Sequence, residues 1–251
     1  MKNLIGIIFG LLLASSASAM PRFDDQLREL VESVRQQLPC GFPTAGIPPL
    51  APYRNQLHQF DLNNRGTDLL GNFTNLIITG IDGFDVKELH YATLLMKLNF
   101  DVNFSQIKLF SQYYAKGGVQ IFGRNFSLVG NGDFDLLAEN IRINGSFHLR
   151  PTTSNGLKIW NFKSSFNMDG VKSQTTGILN SPLYSGFFNS WVEEFVRILV
   201  DENRDHIGNK IGSYIVPAVN QQLKKVSVLE LIGVILGLGA PDSPLFPVCQ
   251  V

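Results

Sequence analysis

Along residues 94–104 the apolar side chains fall at every second position: Leu94, Met96, Leu98, Phe100, Val102 and Phe104, with Leu95, Lys97, Asn99, Asp101 and Asn103 between them. Successive side chains of a strand point to opposite faces, so this run predicts a long strand with one apolar and one polar face. Trp160, Phe162, Phe166 and Met168 form a second such phase, and shorter alternations occur at Leu76/Ile78, Val119/Ile121, Phe134/Leu136, Ile141/Ile143 and Phe147/Leu149. Period two therefore holds from Leu57 to about Val171. The glycine-rich stretches 116–118, 130–132 and 154–156 read as hairpin turns, with Asp133 and Asp135 as turn residues. An antiparallel meander with one apolar face is the expected result.

Two segments instead repeat every 3.6 residues. Phe23, Leu27, Leu30, Val31, Val34 and Leu38 share one face of an N-terminal amphipathic helix, and charged or amide residues take the other. Asp24 is placed to cap this helix, and Pro39 with Gly41 ends it. Pro43, Gly46, Pro48, Pro49 and Pro52 then predict an extended, unpaired connector. After Pro182 a second stripe runs through Phe188, Trp191, Val192, Phe195, Val196 and Leu199 and continues at Ile207, Ile211, Tyr214, Ile215, Ala218 and Val219. The spacing fits one helix of about 35–40 residues, some 55 Å long at 1.5 Å per residue, or two helices broken near Asn203. Pro217 should kink or loosen it. Gly208 and Gly212, four apart, leave a flat patch open to close approach.

A long helix with a wide apolar face needs an equally long apolar surface, and twisted sheets curl. The expected fold is α+β: a long, strongly curved antiparallel β-sheet wrapped around a long C-terminal helix, with the amphipathic helix at the N-terminus. The chain has 19 Phe against 6 Tyr and 2 Trp, so the interior is bulky. Periodicity alone does not say whether that interior is filled or hollow, and most interiors are full.

Lys2, the apolar run Leu4–Ala14 and the small residues Ala17-Ser18-Ala19 read as a secretory signal over 1–19, against the alternative of a buried N-terminal helix. The apolar run is shorter than the roughly 20 residues that span a bilayer, and Ser227, Glu230 and two glycines dilute the stretch Val226–Leu238. A secreted, extracellular chain with no transmembrane segment is expected. Its two cysteines, Cys40 and Cys249, then suit an intramolecular disulfide, with free buried thiols or pairing to another chain as alternatives. Four sequons, at Asn72, Asn103, Asn125 and Asn144, are candidate glycosylation sites.

Lys+Arg and Asp+Glu are equal at 21 each, which argues against nucleic acid or an anionic membrane as a partner. There is no G-x-S-x-G, H-E-x-x-H, phosphate loop or C-x-x-C, and His58, His90, His148 and His206 are scattered. Asp201, Glu202, Asp205 and His206 read as a solvated helix face. No enzyme chemistry, metal site or cofactor is expected.

The run Gly46-Ile-Pro-Pro-Leu-Ala-Pro-Tyr53, the segment Asn72–Val86, Gly130-Asn-Gly-Asp-Phe134 and the stretch Leu183–Leu223 together resemble insect haemolymph juvenile hormone-binding and takeout-like proteins. The wider superfamily is the TULIP group, with bactericidal/permeability-increasing-type proteins and group 7 mite allergens as relatives. The resemblance spans residues 24–225. The family's closely spaced cysteine pair is missing, Ala51 replaces an acid, and residues 226–251 form an extra apolar tail.

The resemblance implies one lipid-binding domain over residues 20–225 and an internal tunnel for a lipophilic ligand such as a juvenile hormone-like terpenoid or a fatty acid. On that reading the contacts come from Leu94, Met96, Leu98, Phe100, Val102 and Phe104 on one strand and Trp160, Phe162 and Phe166 on another. Trp191 and Phe195 follow from the helix, and Tyr113, Tyr114 and Tyr214 are polar candidates. Ordinary core packing accounts for all of the apolar positions equally well. The alternative is a secreted structural or lipid-interface protein that self-associates through the tail, since exposed apolar patches mark interaction sites.

Overall fold

The computed structural model describes residues 20–43, 46–64, 66–121, 123–153, 156–224 and 249. The predicted signal segment and, apart from Cys249, the tail beyond residue 225 lie outside the described residues. The elements are α1 (Met20–Gln37), β1 (Tyr53–Asn64), β2 (Thr67–Thr79), β3 (Phe84–Ala92), a 3-10 turn (Thr93–Leu95), β4 (Lys97–Ile121), β5 (Arg124–Pro151), β6 (Leu157–Asn167), β7 (Gly170–Thr175) and α2 (Pro182–Leu223).

β4 and β5, of 25 and 28 residues, form the spine of a seven-stranded antiparallel sheet. β2 and β3 lie in tandem along the free side of β4, β2 against residues 108–119 and β3 against residues 97–104. β7 and β6 do the same along β5, against residues 134–139 and 142–151. β1 adds outside β2.

The alternation does not keep one phase. In β5 the inward residues are Leu128, Phe134, Leu136 and Ala138, then Ile141, Ile143, Phe147 and Leu149. The switch falls at Asn140, which has φ +50°. Asn75 (φ +55°) does the same in β2, and Asn161 (φ +52°) does it in β6. Asparagine tolerates the left-handed region, and one such residue acts as a bulge that re-aims the side chains beyond it. Each switch keeps the apolar residues of both halves on the helix side of the sheet.

Several sequence expectations are corrected here. Leu94 and Met96 do not extend the strand, because the chain turns through the 3-10 segment and Met96 takes φ +47°. Trp160 is not in phase with Phe162 and Phe166, because Asn161 separates them, and it faces outward. Residues 116–118 and 130–132 are not turns. They lie inside β4 and β5, which pair with each other up to Ile121–Arg124. Their glycines serve close approach instead: a Cβ on Gly117 would stand 1.9 Å from the Asp68 carbonyl oxygen. Asp133 and Asp135 accordingly sit mid-strand, exposed. Helix α1 is already helical at Met20, so Asp24 lies inside it. The proline connector is partly paired, through Phe42–Ile47 and Leu50–Tyr53.

α2 breaks at Asn203, where φ is −125° and ψ is 22°, and runs on through Pro217. The Asn203 amide donates to the Leu199 carbonyl at 2.8 Å, taking an acceptor that the helix backbone would otherwise use. α2 packs on β6 and β7, and α1 on β3. Four α2 side chains also accept hydrogen bonds from these two strands: Asn189 from Thr175 N–H (2.7 Å), Glu193 from Ser173 N–H (2.9 Å), Asn209 from Ser164 N–H (3.2 Å) and Asn220 from Ile159 N–H (2.6 Å). These contacts cover an edge that would otherwise offer unpaired donors to another chain.

Candidate functional site

The helix-facing side of the sheet carries three apolar clusters in a row along β4. At the end closed by α1, Leu89, Tyr91, Leu98, Leu149 and Ile159 are buried, with Leu27 and Val31 of α1 and Val216, Val219 and Leu223 of α2 packed on them. In the middle, Ala138, Ile141 and Val171 are buried among half-buried Phe104, Ile107, Leu136, Ile143, Phe166, Met168 and Val196. Toward the β4–β5 hairpin, Leu69, Tyr113, Val119, Leu128, Ile178, Phe188 and Val192 are buried beside half-buried Phe60, Phe73, Phe134 and Trp191.

The α1-end cluster has five buried and ten partly buried residues, the middle cluster three and seven. Leu27 and Val31 of α1 pack on the first, and no α1 residue belongs to the second. Beside the middle cluster, Trp191, Glu194, Phe195, Ile198 and Leu199 of α2 line an almost wholly apolar recess of about 200 Å³. Trp191 stacks on Phe195 with centroids 5.1 Å apart and touches Phe188 at 5.3 Å. A recess of about 800 Å³ is lined by Lys87, Arg142, Asp169 and four asparagines and offers an apolar molecule little, whereas one of about 730 Å³ beside α2 mixes Asn, Ser and Lys with Phe162 and Val216.

The predicted contact residues are thus divided. Leu98 is buried in the α1-end cluster, with Met96, Phe100 and Phe162 partly buried around it. Phe104 and Phe166 belong to the middle cluster, and Val102 lies half-buried between Val86 and Ile143. Trp191 joins the hairpin-end cluster, and Phe195 stacks on it. Three residues lie outside: Leu94 is fully exposed, Trp160 is 47% exposed on the outer face, and Tyr214 is 70% exposed beside Lys210. Tyr114 also faces outward.

Tyr113 is inward and buried. Its hydroxyl donates to the Thr176 carbonyl at 2.8 Å, and burial pushes its pKa up to about 12. Sequence reasoning missed Phe60, Phe73, Phe134 and Phe188. Phe73 stacks between Phe60 (4.9 Å) and Phe134 (5.3 Å), a chain of rings across three strands that no single-strand alternation reveals.

Among the described residues no group of three or more His, Cys, Asp or Glu is placed to hold a metal ion. His58, His90 and His206 are exposed. Among the described residues no helix is long and apolar enough to cross a membrane. Cys40 and Cys249 form a disulfide with Cα atoms 5.8 Å apart.

A large antiparallel sheet with its apolar side toward a long, broken C-terminal helix is the TULIP-like α+β fold. Residues 13–233 match the family described as haemolymph juvenile hormone binding protein, and the chain belongs to that family. The crystal structure of Epiphyas postvittana Takeout 1 is similar in fold, with 16% identity and a TM-score of 0.56 over 79% of this chain and 92% of that one. That of lipopolysaccharide binding protein gives 14% identity and a TM-score of 0.43 over 79% of this chain and 38% of that one, so this chain spans well under half of that protein. No curated protein is similar to the chain in sequence.

Proposed function

We propose that the protein is a secreted, non-enzymatic carrier of a hydrophobic small molecule, a terpenoid or fatty acid in chemical class, held between α2 and the middle of the sheet. The observation that carries this is the middle cluster, most of whose apolar side chains are only partly buried and which, unlike the α1 end, has no α1 side chain packed over it. Apolar pockets for small ligands run to about 300–1,000 Å³. The recess at Trp191 and Phe195 falls below that range. Cargo therefore also occupies the accessible lining around Phe104, Ile107, Leu136 and Met168, and the stacked rings turn aside to admit it. Membership of a family named for juvenile hormone binding supports the same class of ligand. Residues 1–19 and the disulfide support passage through an oxidising, secretory compartment.

Native mass spectrometry of protein secreted by its own tissue tests the reading. A co-purifying apolar molecule, displaced by added fatty acid or terpenoid, is the expected result. An empty protein that fails to bind any fluorescent apolar probe rejects it.

A second reading, assembly through the apolar tail, draws on the composition of residues 226–248 and on Leu183, Tyr184 and Phe187, exposed by 67%, 50% and 58%. Truncation after Lys225 together with Cys40→Ser separates the two. Loss of oligomers with probe binding intact assigns the tail to assembly, and an unchanged monomer removes that role.

A further inference from the structure

Trp160 lies on the outer face of the sheet, away from the cargo interior, in an unusual setting. The Arg150 guanidinium carbon is 4.5 Å from its ring centre and the Lys158 Nζ is 5.7 Å from it. The strand register extends this group. Lys97 pairs with His148 and His148 with Trp160, Arg150 pairs with Lys158, and Ser146 with Lys163. Arg150, Lys158 and Lys163 are exposed, and Lys97 is half-buried. None of these four cations makes an ion pair among the described residues, whereas Arg35, Lys87, Arg142, Lys172, Arg197 and Arg204 all do. The carboxylates nearby are at the border: Asp101 is held by Arg142, and Asp205 stands across a groove beside Lys163. In a chain of zero formal net charge, this is a local concentration of positive charge around an exposed indole.

We propose that this face docks the protein on a bilayer surface bearing anionic phospholipid. Unpaired lysines and arginines are drawn to the negative potential of such a surface. Indole has an apolar body and a polar N–H, which suits the headgroup boundary. A sulfated polysaccharide would answer the charges but gain little from the indole, which is nearly half exposed at the centre of the patch. The proposal goes beyond the carrier reading and does not depend on it, since docking requires no cargo in the interior.

Flotation of the full secreted chain with vesicles tests it. Vesicles containing roughly one-third phosphatidylserine should retain the protein while pure phosphatidylcholine does not, and added salt should release it. Arg150→Gln with Lys158→Gln should lower partitioning on the order of 25-fold, about fivefold per charge removed. Trp160→Ala should weaken binding and abolish the blue shift of emission on vesicles. Circular dichroism melting checks that the variants fold, and Lys163→Gln, which leaves the contacts of Trp160 intact, gives the single-charge effect should the double variant unfold. Equal retention by both kinds of vesicle, or partitioning unchanged by removal of the cations, overturns the proposal. So does retention on heparin without retention on vesicles, which would assign the patch to a polysaccharide.

Discussion

Gly208 of α2 lies against the carbonyl group of Ser164 in β6, so close that a Cβ at position 208 would stand 2.4 Å from the Ser164 oxygen. Gly212, one turn on, meets the Phe162 ring at 2.2 Å by the same measure. The flat patch expected from the sequence is where the edge strand seats on the helix. Gly208→Ala should therefore destabilise by about 1–2 kcal/mol, because overpacking outweighs the better helix propensity of alanine. Gly186, in the same helix, faces open space, with nothing within 4 Å of where a Cβ would stand. Gly186→Ala should stabilise by up to about 1 kcal/mol. Opposite shifts of the two melting temperatures check the pair.

The Asn189 side-chain oxygen accepts from Thr175 N–H at 2.7 Å and from the Ser173 hydroxyl at 3.0 Å, and both strand residues are buried. Asn189→Ala leaves the buried Thr175 N–H without this acceptor, while the Ser173 hydroxyl keeps that of Thr175 at 3.2 Å, and should cost about 1–3 kcal/mol. Chemical denaturation measures the loss. Faster amide exchange at Thr175 would localise it to β7.

Trp191→Ala should weaken binding of a fluorescent apolar probe about tenfold, the effect of losing a large aromatic from a desolvated site, roughly 1.4 kcal/mol. Trp160→Ala should leave that affinity unchanged. Equal effects of the two would sink the assignment of cargo to the helix side of the sheet.

Tyr113 has a folded-state pKa raised above the ordinary 10.0, to about 12, by burial. Its neutral form is the one favoured on folding, so its contribution is fully present below pH 10.0 and is lost as pH rises toward 12. The melting temperature should fall across that window. Tyr113→Phe should flatten the fall only in part, because burial also raises the pKa of Tyr91.

The disulfide closes a loop with a sequence separation of 209 residues, for which the chain-entropy model gives on the order of 5 kcal/mol. Cys40→Ser with Cys249→Ser should lower the unfolding free energy by an amount up to that figure. Equilibrium denaturation with and without reductant measures it.

Much of the architecture was legible because the periods differ so sharply. Alternation from Leu98 to Phe104 and the stripe from Phe188 to Leu199 identified sheet and helix, and Asn203 marked the break. What escaped was non-local. A glycine that ends a hairpin and one that admits a neighbouring strand look alike in sequence, so Gly117 and Gly130 read as turns. A bulge at Asn140 or Asn161 reverses the faces beyond it without changing composition, so Trp160 was assigned to the wrong side. The proposed site suffered most, because its lining is assembled from β4, β5, β6 and α2, and beside it only the register brings Phe60, Phe73 and Phe134 together.

The bond between Cys40 and Cys249 also makes a covalent ring of everything from β1 to α2, with helix α1 attached to it as a pendant arm. A protease that nicks the ring once releases no fragment. A single cut between Gln37 and Cys40 instead detaches α1, and with it the Leu27 and Val31 side chains that pack on the end cluster of the sheet.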